Sequence, residues 1–118
     1  TLSPIPGLNR WLETSKLADE SPDQDKALAA HYLLKAKNAD GMPLDPVARF
    51  HLGNGAKVHA VHAQADTSEN GIKQSNGTMV NYLYNLSQIS QNHEKFVSNK
   101  TVVASTIVKT LSTTVKPK

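Results

Sequence analysis

No cysteine occurs among the 118 residues. That absence excludes a disulfide framework, a zinc ribbon, an iron–sulfur site and a cysteine nucleophile. No apolar run approaches the roughly 18 residues that a membrane-spanning helix needs, so a soluble chain is expected. Nor does the chain open on the basic-then-apolar pattern of a secretory leader. The three Asn-x-Ser/Thr matches, at Asn76, Asn85 and Asn99, therefore read as chance in an intracellular chain. Aromatics are scarce at 5%, and the 13 basic residues, set against 10 acidic ones, stand singly. A nucleic-acid surface needs clustered cations and stacking platforms, and neither is present. The net charge of +3 suits a small anionic ligand instead, such as one carrying phosphates.

What is present amounts to one small domain, with 38% apolar and 19% charged residues, an ordinary globular balance. There is no internal repeat. The chain opens on Thr-Leu-Ser-Pro, in what reads as a strand end without its neighbours, so it is expected to be part of something larger.

Pro4 and Pro6 fix their own φ and hold Ser3 and Ile5 extended. A short helix is expected from Leu8, with Leu8, Trp11, Leu12 and Leu17 spaced for one face. Ser21-Pro22-Asp23-Gln24 then combines a cap, a first-turn proline and a Gln three residues on. The helix it starts carries Leu28, Tyr32, Leu33 and Ala36 on one side and ends near residues 38–41. Asn54-Gly55 is the preferred type I′ dipeptide, so residues 47–52 and 57–61 are predicted to pair as a β-hairpin. One face of it would carry Val47, Arg49, His51, Val58, Ala60 and His62. The other, more core-like, would carry Ala48, Phe50, Leu52, Lys57, His59 and Val61. Residues 65–77 read as a polar loop, and 75–90 as a helix striped by Met79, Leu83 and Leu86. Residues 101–104 read as a short strand. Ser105 is expected to cap a final helix through Leu111, and 112–118 to fray.

Five histidines raise the question of a metal. On a strand, His59 and His62 point to opposite faces, and His51 and His62 lie roughly 13 Å apart along the predicted hairpin. With no cysteine and scattered carboxylates, no metal site is expected. His31 and His93 fall on expected helices, as half-buried or solvated rings. His51 lies mid-strand beside the turn, where a lone histidine is more often structural. Ser3 has no G-x-S-x-G elbow and no triad order around it. Its distinction is a hydroxyl fixed in a doubly proline-stiffened turn, which suits stabilising a developing charge better than attacking a carbonyl. Gln74-Ser75-Asn76-Gly77 resembles the front of an anion-cradling turn, with a plain helix cap as the simpler reading.

Four motifs combine into a pattern. TLSPIPG at 1–7, LDPVARFHLGNGA at 44–56, DTSENGIKQSNG at 66–77 and MVNYLYNL at 79–86 stand in the order found at the C-terminal end of malonyl-CoA decarboxylases. The chain resembles that family over nearly its whole length except about residues 13–26, where the helical stretch between the first two motifs looks shortened. The resemblance implies an α/β (α+β) chain, a partial acetyltransferase-like (GNAT) fold with a β-hairpin at about 47–62 and flanking helices. Residues 1–111 would be the C-terminal segment of the catalytic domain, with its upstream half absent, and 112–118 a flexible tail.

The resemblance also implies an activity: loss of CO2 from malonyl-CoA to give acetyl-CoA, in fatty-acid and malonate metabolism, with no metal or organic cofactor. By residue match, Ser3 and His51 are the expected catalytic pair, joined at the site by Tyr84 of the N-Y-x-Y stretch. Cleaving the C–C bond leaves an electron pair on the α-carbon, delocalised onto the thioester oxygen. A fixed Ser3 hydroxyl aimed at that oxygen is worth about 10²–10³ in rate. His51 would either protonate the carbanion directly, contributing roughly 10²–10⁴, or polarise Ser3 and the thioester. Tyr84 would orient His51 or contact the malonyl carboxylate. Binding of the coenzyme A phosphates is expected upstream of this chain, which leaves residues 74–77 as a helix start. The expected partners are malonyl-CoA as substrate and, in the full-length protein, further copies of itself, with no nucleic acid and no membrane. The tail Val-Lys-Pro-Lys lacks the Ser-Lys-Leu peroxisomal address, and cytoplasm is the expected compartment in a family that also uses mitochondria and peroxisomes. Two rival readings are a coenzyme A-dependent acyltransferase on the same fold and a non-catalytic interaction fragment.

Overall fold

The computed structural model describes residues 1–18 and 23–117. Strand β1 (Leu2–Ser3) pairs antiparallel with β4 (Met79–Leu83), and β4 pairs antiparallel with β3 (Lys57–His62), giving the sheet order β1-β4-β3. Between these strands run helices α1 (Leu8–Ser15), α2 (Gln24–Lys35), α3 (Pro46–Gly53) and α4 (Glu69–Ser75). Helices α5 (Ile89–Asn99) and α6 (Thr106–Ser112) follow β4. A second, two-stranded ladder joins β2 (Leu17–Ala18) to β5 (Lys116–Pro117), within the stretch expected to fray. The mixed α/β class follows the expectation. The arrangement inside it differs most in two places.

The first difference is the predicted hairpin. Residues 46–53 form helix α3 rather than a strand. Asp45 is its N-cap, accepting from the Ala48 N–H at 2.8 Å, and Pro46 occupies the first turn. Such a cap is worth about 1 kcal/mol, and a proline at that position needs no donor. The short run 47–52 alternates well enough for a strand, but its Ala48, His51 and Leu52 also lie three and four apart and are the residues buried. The Asn54-Gly55 turn is not type I′, because Asn54 has φ −94° and only Gly55, at +91°, is left-handed. Gly55 ends the helix where a Cβ would stand 2.6 Å from the Ile89 carbonyl oxygen. The partner of β3 is β4, brought alongside after α4.

The second difference is the predicted 75–90 helix. Ser75 ends helix α4, which begins at the Ser68 cap inside the expected loop and stops at left-handed Asn76. Residues 74–77 are therefore a helix end, and the anion-cradling reading falls with the predicted helix start. Beyond it, Val80 and Tyr82 alternate inward along β4 while Met79, Asn81 and Leu83 are more open. Leu86, the third member of the supposed stripe, is 89% exposed.

The remaining expectations hold in part, and Leu17, expected on the first helix, lies in β2. Helix α1 begins at Leu8, α2 buries Leu28, Tyr32 and Leu33 with Ala36 just beyond, and Ser105 caps α6 by accepting from the Val108 N–H. The Ser21 cap and Pro22 lie outside the described residues, and Asp23 is the N-cap of α2. Helix α2 ends at Lys35, ahead of the expected 38–41. The 101–104 strand reduces to a parallel bridge between Val58 and Ala104. The core joins Ile5, Leu8, Leu33, Leu52, Val58, Val80, Tyr82 and Val108 between the sheet and helices α2, α3 and α6. A bulge between Val58 and Ala60 resets the alternation of β3. Val58 and Val61 are both buried, and His59 and His62 are both exposed instead of pointing to opposite faces.

Candidate active site

Three elements deliver the three side chains singled out above. Strand β1 carries Ser3 opposite Val80 of β4, and the Tyr82 N–H donates to the Thr1 carbonyl at 2.8 Å, so one ladder sets the serine relative to the tyrosines. Tyr84 stands just past the end of β4. Helix α3 lays His51 across this sheet edge. The helix is fixed by its buried Ala48 and Leu52, and its far end is tied down by α5. There Asn92 Nδ2 donates to the Gly55 carbonyl at 3.2 Å, and His93 Nδ1 is hydrogen-bonded to the Gly53 carbonyl at 2.7 Å. The His51 carbonyl itself accepts from both Asn54 and Ala56 N–H groups at 3.1 Å.

The result is a continuous chain of polar atoms. Ser3 Oγ lies 3.2 Å from His51 Nε2, and His51 Nδ1 lies 2.5 Å from the Tyr84 hydroxyl. Ser3 is 4% and His51 8% exposed. Burial holds the His51 imidazole below its ordinary pKa and pushes the Tyr84 phenol above its own. Near neutral pH the ring is therefore uncharged, with one nitrogen donating and the other accepting, and the phenol keeps its proton. The histidine sits on a helix rather than a strand, but all three expected site residues meet. His31, His59, His62 and His93 lie elsewhere, and the described residues contain no group of three metal-binding side chains.

Sequence reasoning missed two residues. Tyr82 stacks on the His51 ring, centroids 4.4 Å apart and planes at 22°, while Phe50 meets it edge-on at 5.1 Å. The signal was the two-residue spacing of the tyrosines in N-Y-L-Y, which on a strand puts Tyr82 and Tyr84 on one side. Asp45 is the other. It is fully buried, one carboxylate oxygen caps α3, and Oδ1 has no hydrogen-bond partner among the described residues. The Tyr82 hydroxyl is likewise buried without one. Desolvation raises the pKa of both groups, and the charge of Asp45 adds to the rise at Tyr82.

Residues 17–118 match the family model described as the malonyl-CoA decarboxylase C-terminal domain. The mitochondrial malonyl-CoA decarboxylase of Anser anser anser is 36% identical over 105 residues, covering 89% of this chain and 21% of the goose protein. That of Rattus norvegicus is 38% identical over 95 residues, covering 80% of this chain and 19% of the rat protein. Among solved structures, malonyl-CoA decarboxylase from Rhodopseudomonas palustris superposes with a TM-score of 0.83 at 37% identity, over 93% of this chain and 34% of that one. The Agrobacterium vitis enzyme gives 0.83 at 35% identity, over 95% and 35%. The chain thus spans about a fifth of the length of these animal relatives and about a third of the bacterial ones. Matched along nearly all its own length by family, by sequence and by backbone, the chain belongs to the malonyl-CoA decarboxylase C-terminal domain family.

Proposed function

We propose that the protein containing this chain converts malonyl-CoA to acetyl-CoA and CO2, and that Ser3 and His51 are its catalytic residues, with Tyr84 beside them. The observation that carries this reading is the hydrogen-bonded run from Ser3 Oγ through both ring nitrogens of His51 to the Tyr84 hydroxyl. A phenol that keeps its proton donates to Nδ1, which makes Nε2–H the donor to Ser3 Oγ. The Ser3 O–H is then left free to point at a thioester oxygen. As the carboxylate leaves as CO2, the electron pair of the broken C–C bond passes to the α-carbon and onto that oxygen, where the Ser3 hydroxyl meets it. The α-carbon then takes one proton from the same relay, and the relay recovers it from solvent.

On this reading residues 1–111 form the C-terminal part of an acetyltransferase-like catalytic domain. The coenzyme's phosphates are held by a segment that the longer relatives possess, and the whole protein assembles from identical copies. Ser3→Ala is expected to lower kcat by about 10²–10³, and His51→Asn by about 10²–10⁴. The assay follows CO2 and acetyl-CoA from malonyl-CoA, with an amine present as a possible acyl acceptor. Unchanged turnover in both variants refutes the assignment, and acylated amine in place of CO2 makes the protein an acyltransferase.

A further inference from the structure

Asp45 is over-qualified for the task that its hydrogen bond describes. Serine or asparagine caps a helix as well as aspartate does, and neither brings a charge into a site with no exposure to water. Burying a carboxylate is costly unless its oxygens are satisfied. One oxygen here takes the Ala48 N–H at 2.8 Å, and the other, Oδ1, is left without a partner. The Tyr82 hydroxyl is in the same condition and within reach of the Asp45 charge. Its ring is the flat surface on which His51 rests, at 4.4 Å. A donor that keeps its proton and an acceptor with a free lone pair answer each other through one internal water. The Val47 N–H and the Arg49 guanidinium also act on the carboxylate, but neither leaves Oδ1 with a hydrogen bond.

We propose that Asp45 is a positioning residue, whose second oxygen anchors the Tyr82 hydroxyl and so holds the ring against which His51 is stacked. The carboxylate thereby constrains the imidazole twice. It does so through the helix that carries His51, whose start it caps, and through the aromatic surface under its ring. Neither Asp45 nor Tyr82 need touch the substrate. The catalytic part of this inference rests on the proposed role of His51, and the anchoring part does not.

Three variants separate the possibilities: Asp45→Asn, which keeps the cap and loses the charge, Tyr82→Phe, which keeps the ring and loses the hydroxyl, and the two together. Decarboxylation of malonyl-CoA is measured as kcat and KM, and the His51 ring protons are followed by NMR, since the stacked Tyr82 ring shifts them upfield. The expected result is a fall in kcat of about 10- to 100-fold in each single variant, because small misplacements of reacting groups cost that much. KM stays unchanged, the double variant is no worse than either single one, and the His51 ring protons move in all three. Wild-type kcat and ring shifts in Asp45→Asn overturn the proposal, as do additive losses in the double variant. If Asp45→Asn folds poorly, Tyr82→Phe carries the same test, since removing a single hydroxyl leaves ring and backbone in place. Should Ser3→Ala prove fully active, the catalytic reading fails while the NMR arm still decides the anchor.

Discussion

Replacing Tyr84 by phenylalanine tests the relay at the link most easily isolated. The substitution keeps the ring, which meets His51 edge-on at 5.7 Å, and deletes only the hydroxyl 2.5 Å from Nδ1. Two effects follow. The buried ring nitrogen loses its partner, at a cost of about 1–3 kcal/mol. The tautomer is also no longer imposed, so Nδ1 can carry the proton while Nε2 accepts from Ser3. In that state the serine hydrogen points at the histidine, and on the proposed mechanism the enolate loses its donor. If the cost of the orphaned nitrogen falls on the transition state, kcat drops about 10- to 100-fold, since each 1.4 kcal/mol is a factor of ten. Uniform substrate binding is untouched, so KM holds. The rate is read from acetyl-CoA formation under saturating malonyl-CoA, and nitrogen-15 NMR of His51 reports the tautomer. Ser3→Ala combined with Tyr84→Phe should be little slower than Ser3→Ala alone, because both act through one hydroxyl. Wild-type kcat in Tyr84→Phe, or fully multiplicative losses in the double variant, refutes the relay.

Stability should fall on acidification through the pKa of His51. Burial sets its folded pKa below the ordinary 6.5, so the unfolded chain binds the proton first and stability rises with pH across that window. Urea melts between about pH 5 and 8 check this, and His51→Phe should flatten the slope. Gly55→Ala forces a side chain to φ +91° and to within 2.6 Å of the Ile89 carbonyl oxygen. A loss of more than about 1 kcal/mol is expected from the backbone conformation alone, and an unchanged urea midpoint would contradict the geometry. Leu33→Ala, at a fully buried position in α2, should cost about 2–5 kcal/mol without altering the kcat of the protein that remains folded.

The parts of the molecule legible from residues alone are those whose signals are local. Ser105 caps α6 because a hydroxyl there meets the Val108 N–H, an interaction spanning three residues. The extended start of the chain follows from Pro4 and Pro6. The helix at 46–53 was equally local, announced by Asp45-Pro46, but the Asn54-Gly55 pair after it supplies an opposing hairpin signal. Only tertiary contacts decide between them: the buried face of Ala48, His51 and Leu52, and the packing of Gly55 against Ile89. Strand β4 was hidden for a different reason. Met79, Leu83 and Leu86 imitate a helical stripe, and what makes 79–83 a strand is its place between β1 and β3, which no local window contains. The meeting of Ser3, His51 and Tyr84 followed from motif resemblance and not from the hairpin drawn for it. The histidine reached its place by a helix.

The two carbonyls gripped by Asn92 and His93 have a further consequence. Helix α5 lies outside the run from Ser3 to Tyr84, yet it is the footing on which the imidazole's backbone stands, about forty positions along the chain. Loosening that footing by heat or by a substitution far from the serine lets the ring drift while the sheet stays paired. On the proposed mechanism turnover should therefore fade several degrees before the fold melts, and variation along α5 offers a way to retune the rate without altering Ser3, His51 or Tyr84.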